Sequence, residues 1–172
     1  NVVDTTSPLI TISGDNPATF EVYTVYVDAG ATATDNYNQS VSVVTTGTVD
    51  ISTVGQYTLT YNATDACGNQ ATPKTRTVNI VDTTLPLVSL IGENPLVHSM
   101  LMPYVDPGIN SSDNYDISLI IVETSNINSN VVGEYYYTYN VVDDYDNSRN
   151  ITRQVYVLDF TLMNNVPVIN IS

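Results

Sequence analysis

An all-β chain of two tandem small sandwiches, followed by one extra strand, is predicted by three observations. Sequence blocks recur in one register, apolar residues alternate with a period of two, and short strand-like runs are separated by Gly, Pro, Asn and Asp clusters with no helical stretch. The recurrence is plain. Val3-Asp4-Thr5-Thr6-Ser7-Pro8-Leu9 returns as Val81-Asp82-Thr83-Thr84-Leu85-Pro86-Leu87, and Gly14-Asp15-Asn16-Pro17 as Gly92-Glu93-Asn94-Pro95. At the same offset Val27-Asp28-Ala29-Gly30 returns as Val105-Asp106-Pro107-Gly108, Thr34-Asp35-Asn36-Tyr37 as Ser112-Asp113-Asn114-Tyr115, and Val54-Gly55-Gln56-Tyr57 as Val132-Gly133-Glu134-Tyr135. Residues 1–81 and 82–159 are therefore expected to be two copies of one domain, with 160–172 beyond them.

The elements follow in chain order. Each copy opens with a Pro-apolar strand. Its long penultimate strand alternates as Tyr57, Leu59, Tyr61, Ala63 against Thr58, Thr60, Asn62, Thr64, and in the second copy Tyr135, Tyr137, Tyr139 and Val141 share one face. That is the pattern of an antiparallel strand with one buried face. Val78 with Ile80, and Val155 with Val157, alternate likewise in the last strand of each copy. The tail Val166-Pro167-Val168-Ile169-Asn170-Ile171 starts the pattern a third time. It is expected to be either the first strand of a further repeat or a strand donated to another chain, with Val166, Val168, Ile169 and Ile171 making the self-assembly contacts.

Composition bounds the function. The 172 residues include 18 acidic and 4 basic ones, a formal net charge of -14 that repels phosphate backbones and anionic lipid heads. Fourteen acids are Asp and four are Glu, which places the acidity in turns and loops. Uninterrupted apolar runs fall far short of the roughly 20 residues of a membrane helix. Neither nucleic acid nor membrane insertion is expected, and the chain reads as a soluble piece of something longer. With one Cys and one His, zinc clusters and catalytic triads lack parts; Cys67 and His98 sit in different copies, so no enzyme is expected.

Asp-Thr-Thr-x-Pro opening a strand, Asp28-Ala29-Gly30-Ala31-Thr32-Ala33 in the middle, Val54-Gly55-x-Tyr57 and Ala63-Thr64-Asp65-Ala66-Cys67-Gly68-Asn69 resemble the bacterial immunoglobulin-like repeats related to hyalin repeats and to the Ig-like domains of pesticidal crystal proteins. The second copy departs at Asp143-Asp144-Tyr145-Asp146-Asn147, where the glycine is lost, and at Ile109-Asn110-Ser111-Ser112. The resemblance implies two Greek-key β-sandwiches acting as extracellular spacers or adhesive stalks on a cell or virion surface. It also gives Tyr57 and Tyr135 the place of the tyrosine corner, whose hydroxyl bonds backbone, and Leu59 and Tyr137 the places usually held by cysteine. Without an inter-sheet disulfide, apolar packing alone is expected to hold each sandwich.

In that topology the chain entry and the two loops that follow the second and penultimate strands meet at one pole. Asp4, Asp35 and Asp65 should converge there in the first copy, and Asp82, Asp113 and Asp143 in the second, with Asp146 and Asn147 as extra candidates. Converging carboxylates without imidazole or thiolate favour calcium, the expected cofactor. The alternative is that these aspartates only build Asx turns. Asn38, Asn62, Asn110 and Asn150 fit the N-glycosylation pattern, as does Asn170. Partners are expected to be neighbouring repeats or identical subunits, or a surface protein or glycan reached through pole residues such as Asp113 and Tyr145.

Overall fold

The computed structural model describes residues 3–37 and 40–161. Among them there is no helix, and the chain divides into two compact units, Asn1–Asp82 and Thr83–Ser172. Each unit is a small sandwich, as the alternation predicts. In the first, β1 (Leu9–Ile12) pairs with β3 (Ala31–Thr34), while β2 (Ala18–Glu21), β4 (Val43–Thr46), β5 (Gly55–Ala63) and β6 (Lys74–Val81) form a sheet in the order β4-β5-β6-β2. In the second, β7 (Leu87–Leu90) pairs with β9 (Ile109–Ser112), while β8 (Leu96–Ser99), β10 (Ile120–Ser125), β11 (Gly133–Val142) and β12 (Ser148–Leu158) form a sheet in the order β10-β11-β12-β8. The tail call, Val166, Val168, Ile169 and Ile171, lies outside the described residues.

One layer has four strands and the other two, because the connections at 47–54 and 126–132 carry no strand. The first strand pair roofs the larger sheet. The alternation expected in β5 and β6 sets what lies inside: Leu59, Tyr61 and Ala63 face Val78 and Ile80, with Ile10 and Ala33 from the other layer, all buried. Tyr139, Val141, Val155, Val157 and Val88 repeat the arrangement in the second unit.

Two repeated blocks find their reasons in hydrogen bonds. Asn16, just before β2, accepts from the Thr77 N–H at 3.0 Å and donates its amide to Thr75 O at 2.9 Å, so its side chain pairs with β6 as a strand residue would. Asn94 does the same, accepting from the Gln154 N–H at 2.8 Å and donating to Thr152 O at 3.3 Å. The tyrosine corners are also present: Tyr57 donates to Thr53 O at 2.8 Å and Tyr135 to Val131 O at 3.0 Å. A methyl at Gly133 would come within 3.2 Å of the Tyr135 ring, which explains the glycine two residues before it.

The expectation that apolar packing alone holds each unit is corrected by a buried polar cross. Arg153 is 0 % exposed; its Nε meets Asp106 Oδ2 at 2.8 Å, and its terminal nitrogens donate to Ile91 O at 2.7 Å, Gly108 O at 3.2 Å and Glu93 O. Asp106 also accepts from the hydroxyls of Tyr104, at 2.6 Å, and Tyr139, and from the Gly108 N–H at 2.8 Å. The first unit repeats the device: Arg76 lies 3.3 Å from Asp28, donates to Ser13 O and Gly30 O, and sits over the Tyr61 ring, while Tyr61 and Tyr26 donate to Asp28 at 2.7 and 3.2 Å. Each arginine thus ties β6 or β12 to the strand pair of the opposite layer. The guanidinium is a permanent cation, so its burial is tolerable only with carboxylate and carbonyl partners in place.

Burial pushes the Asp28 and Asp106 carboxyls up, but the bonds from their tyrosines and glycines and the arginine charge outweigh it and hold both below the ordinary carboxylate range. The same contacts raise the tyrosines, Tyr61 to about 12, through burial first and Asp28 second. A depressed folded value means that this stability is present above the unfolded value of 3.8 and is lost as the pH falls through the folded one. Acid denaturation should accordingly set in below about pH 4, and Asp106→Asn should flatten the acid limb of a stability–pH profile measured by urea unfolding. Arg153→Met should destabilise its unit by about 3–5 kcal/mol, since it strands a buried carboxylate; a loss under 1 kcal/mol in the same assay would contradict the cross. Tyr57→Phe should cost about 1 kcal/mol, the net worth of one hydrogen bond.

Candidate metal centres

At the first pole the chain start, the β3–β4 connection and the β5–β6 connection come together. Asn36 donates to Thr6 Oγ1 at 3.0 Å and the Asn69 amide to Asp4 O at 3.2 Å, so all three segments are tied by hydrogen bonds. Asp4, Asp35 and Asp65 each offer a carboxylate oxygen, and those oxygens lie within 4.8 Å of one another. At the second pole the group is Asp82, Asp113, Asp116 and Asp143, within the same distance. Asp82 is buried, at 5 % exposure. All six aspartates named from sequence fall in these two groups.

Three of these carboxylates build a turn with one oxygen and leave the other free of that turn. Asp4 Oδ1 accepts from the Thr6 N–H at 3.0 Å, Asp35 Oδ2 from Tyr37 at 3.0 Å, and Asp113 Oδ1 from Tyr115 at 2.9 Å and Asp116 at 3.2 Å. Each makes an Asx turn with one oxygen. The other oxygens, Asp4 Oδ2, Asp35 Oδ1 and Asp113 Oδ2, are sealed from solvent without a hydrogen-bond donor. Buried acceptors without donors are costly and uncommon in native proteins, and a cation satisfies several at once.

Asp65 and Asp143 hold their own turns more completely. Asp65 accepts from the N–H groups of Cys67 at 2.9 Å and Asn69 at 2.8 Å, and from the Asn69 amide at 2.8 Å. Asp143 accepts from Tyr145 and Asn147 in the same way, each at 2.8 Å. Burial raises the Asp65 carboxyl, and the bonds from Asn69, Cys67 and Gly68 outweigh it and keep it below its usual range. The missing glycine of the second copy changes little: Asp146 adopts φ 66° where Gly68 has φ 92°, a left-handed conformation that Asp tolerates better than most residues. Asp146 is not part of the acidic group, and Asn147 tethers Asp143.

Sequence reasoning missed Asp116. Its repeat counterpart is Asn38, which lies outside the described residues, so comparing the copies hid it; the clue was a second acid within the Asp113-Asn114-Tyr115-Asp116 loop. Asp116 Oδ2 accepts from the Asp144 N–H at 3.1 Å, joining the β9–β10 and β11–β12 connections. Burial, then the charges of Asp144, Asp143 and Asp113, push its carboxyl up despite that bond. The buried arginines were missed as well. Two of the four basic residues fall on the inward register of the last strand in both copies, and that was the available signal.

The other candidates stand apart. Asn62 is half-buried on β5; Asn110 and Asn150 are exposed, with Asn150 accepting from the Asn140 amide at 2.7 Å, and Asn38 lies outside the described residues. Cys67 is an exposed thiol, and His98 meets Met102 O at 3.0 Å and the edge of Tyr104. The rings of Tyr115 and Tyr145 pack 5.7 Å apart at the second pole.

The family model for the bacterial surface protein Ig-like domain matches residues 10–80 and again 88–157. The chain belongs to this family. Both of these Ig-like modules span the β-sandwich cores described above, and the family makes the chain a surface structural module. Among solved structures, a lipoprotein from Bacteroides thetaiotaomicron is similar over 87 % of this chain and 80 % of its own, at 17 % identity and a TM-score of 0.41. The fibronectin(III)-like modules of CbhA from Clostridium thermocellum are similar over 90 % of this chain and 96 % of theirs, at 18 % identity and a TM-score of 0.37. No curated protein matches the chain.

A raised folded value means that ionised Asp116 opposes folding, a penalty absent below the ordinary carboxylate range and growing as the pH rises through the folded value. In metal-free protein at neutral pH, Asp116→Asn should therefore raise stability by up to about 1 kcal/mol, the scale of a partly exposed charge interaction. Urea unfolding in chelator checks this, and a lower midpoint for the variant would count against it.

Proposed function

We propose that these Ig-like modules are a non-catalytic spacer of a bacterial surface protein in which a calcium ion closes the loop pole of each copy. The observation that carries this reading is the convergence, in both copies, of carboxylates from separated segments, among which Asp4, Asp35 and Asp113 each keep a sealed oxygen without a hydrogen-bond donor. The donors at both poles are carboxylates, with no imidazole or thiolate in either group, a set that suits a hard cation of six to eight oxygen ligands. A small two-layer unit has a narrow stability margin, and a ligand bound only by the folded state widens it. Such a spacer would be firm in calcium-rich surroundings and looser without them.

Assembly through the edge of the second sheet is a second reading, with identical subunits as partners. It is favoured by β10, a sheet-edge strand in which all six side chains are exposed, Ile120, Ile121 and Val122 among them. Glu123 works against indiscriminate pairing, because its register opposite Tyr139 puts a carboxylate on the inward side of the edge. Removing residues 160–172 should abolish assembly and leave folding intact if the tail supplies the partner strand, with the species sized by analytical ultracentrifugation.

The calcium reading is tested by thermal melting of the full chain in calcium and in chelator. Saturation at 100 times the dissociation constant adds about 2.7 kcal/mol, which for units of this size raises the melting temperature by roughly 10–20 °C. Superimposable curves would remove the cation from the proposal and leave the spacer.

A further inference from the structure

We infer that the turn closing β8 is a soft-metal site for copper(I), built from His98, Met100 and Met102. It stands apart from the acidic poles and does not rest on the calcium reading. The chain has one histidine and three methionines, and the histidine and two of the methionines fall within the five residues His98-Ser99-Met100-Leu101-Met102. The backbone draws them together. His98 and Met100 occupy alternate positions where β8 ends, on one side of the strand. Leu101 then takes the left-handed conformation, φ 68°, the Met102 N–H donates to Ser99 O at 3.4 Å, and the reversed chain sets Met102 O 3.0 Å from His98 Nε2. Bonds from the Met100 N–H to Leu158 O and from the Leu101 N–H to Ser129 O, both 2.8 Å, pin the turn. The first copy makes the same turn with Phe20-Glu21-Val22-Tyr23-Thr24: Tyr23 has φ 63°, and the N–H groups of Val22 and Tyr23 donate to Val81 O and Ile51 O. The turn therefore forms without an imidazole or a thioether.

The hydrogen bond of the imidazole fixes which nitrogen is left for a metal. A carbonyl oxygen can only accept, so the neutral ring carries its proton on Nε2 and donates it to Met102 O. Nδ1 is then an unprotonated acceptor, and it makes no hydrogen bond among the described residues. A ring whose N–H is held by a backbone carbonyl while its other nitrogen stays open is the arrangement that orients a metal-binding histidine. The Tyr104 ring stands at right angles to the imidazole, centroids 5.2 Å apart, and braces it. His98 and Met100 are half-buried and Met102 is 57 % exposed, so an ion reaches them from solvent. Thioether sulfur is a soft donor that selects against hard cations such as calcium and magnesium, and copper(I) suits both thioether and imidazole. The net charge of -14 draws cations to the surface.

Oxygen-free titration of the full chain with copper(I), in competition with the chelator bicinchoninate, tests the site. A Cys67→Ser background is used, because that exposed thiol is itself a soft ligand. One copper(I) per chain should bind. His98→Phe, which installs the residue of the first copy, Met100→Leu and Met102→Leu should each weaken binding by at least about tenfold, the lower end of what losing even an outer-shell partner costs. Circular dichroism reports the fold of each variant. In Cys67→Ser protein labelled at the methionine methyl groups, the Met100 and Met102 signals should move when copper(I) is added. The site is overturned if the Cys67→Ser chain binds no copper(I), if the folded variants bind as tightly as their parent, or if the Met100 and Met102 signals stay in place. None of these outcomes bears on the melting curves in calcium and chelator, so the two metal readings stand or fall separately.

Discussion

A guanidinium enclosed between two layers of strands is the constraint around which each unit is organised. Arg153 reaches from β12 to carbonyls beside β7 and β9 and to Asp106, and Asp106 in turn gathers two tyrosine hydroxyls. A smaller layer of only two strands offers little apolar area for adhesion, so directional bonds carry part of the task that a larger sandwich gives to packing or to a disulfide. The repeated Val-Asp-x-Gly block is the sequence trace of this arrangement: its aspartate receives the arginine, and the carbonyl of its glycine accepts from it. Arg76 makes fewer bonds than Arg153, and its Nε has no partner, so the first unit holds the same device less completely.

The fold was legible because duplication and alternation are geometric signals. Tyr57, Leu59 and Tyr61 had to share a face, and the tyrosine corners followed from the residue two places ahead of the expected cysteine position. The acidic poles were legible for a topological reason: once the strand order is assumed, loops that are distant in sequence must meet at one end. What alternation cannot reveal is a charged residue used as a core residue. Arg76 and Arg153 occupy inward positions in phase with Val78 and Val155, but a hydrophobic pattern gives such residues no weight. The strand count also escaped it, since the connections at 47–54 and 126–132 are long enough for a strand and are instead occupied by turns that anchor Tyr57 and Tyr135.

The poles show how one residue type serves two purposes. An aspartate at a loop start satisfies backbone N–H groups with one oxygen, which shapes the loop, and presents the other oxygen wherever that shape directs it. Asp4, Asp35 and Asp113 each keep one sealed oxygen without a donor, while Asp65 and Asp143 bond through both of theirs, and mutual repulsion is the price of the clustering until something positive intervenes. Burial first, and then the charges of Asp144, Asp143 and Asp113, push up the carboxyl of Asp116.

The enclosure of Arg76 and Arg153 also governs how the molecule meets its surroundings. With two of its four cations sealed in the interior, only Lys74 and Arg149 remain to oppose a long series of outward carboxylates. The exterior therefore carries a large excess of negative charge, and the repulsion it exerts on other acidic surfaces is strongest at low ionic strength.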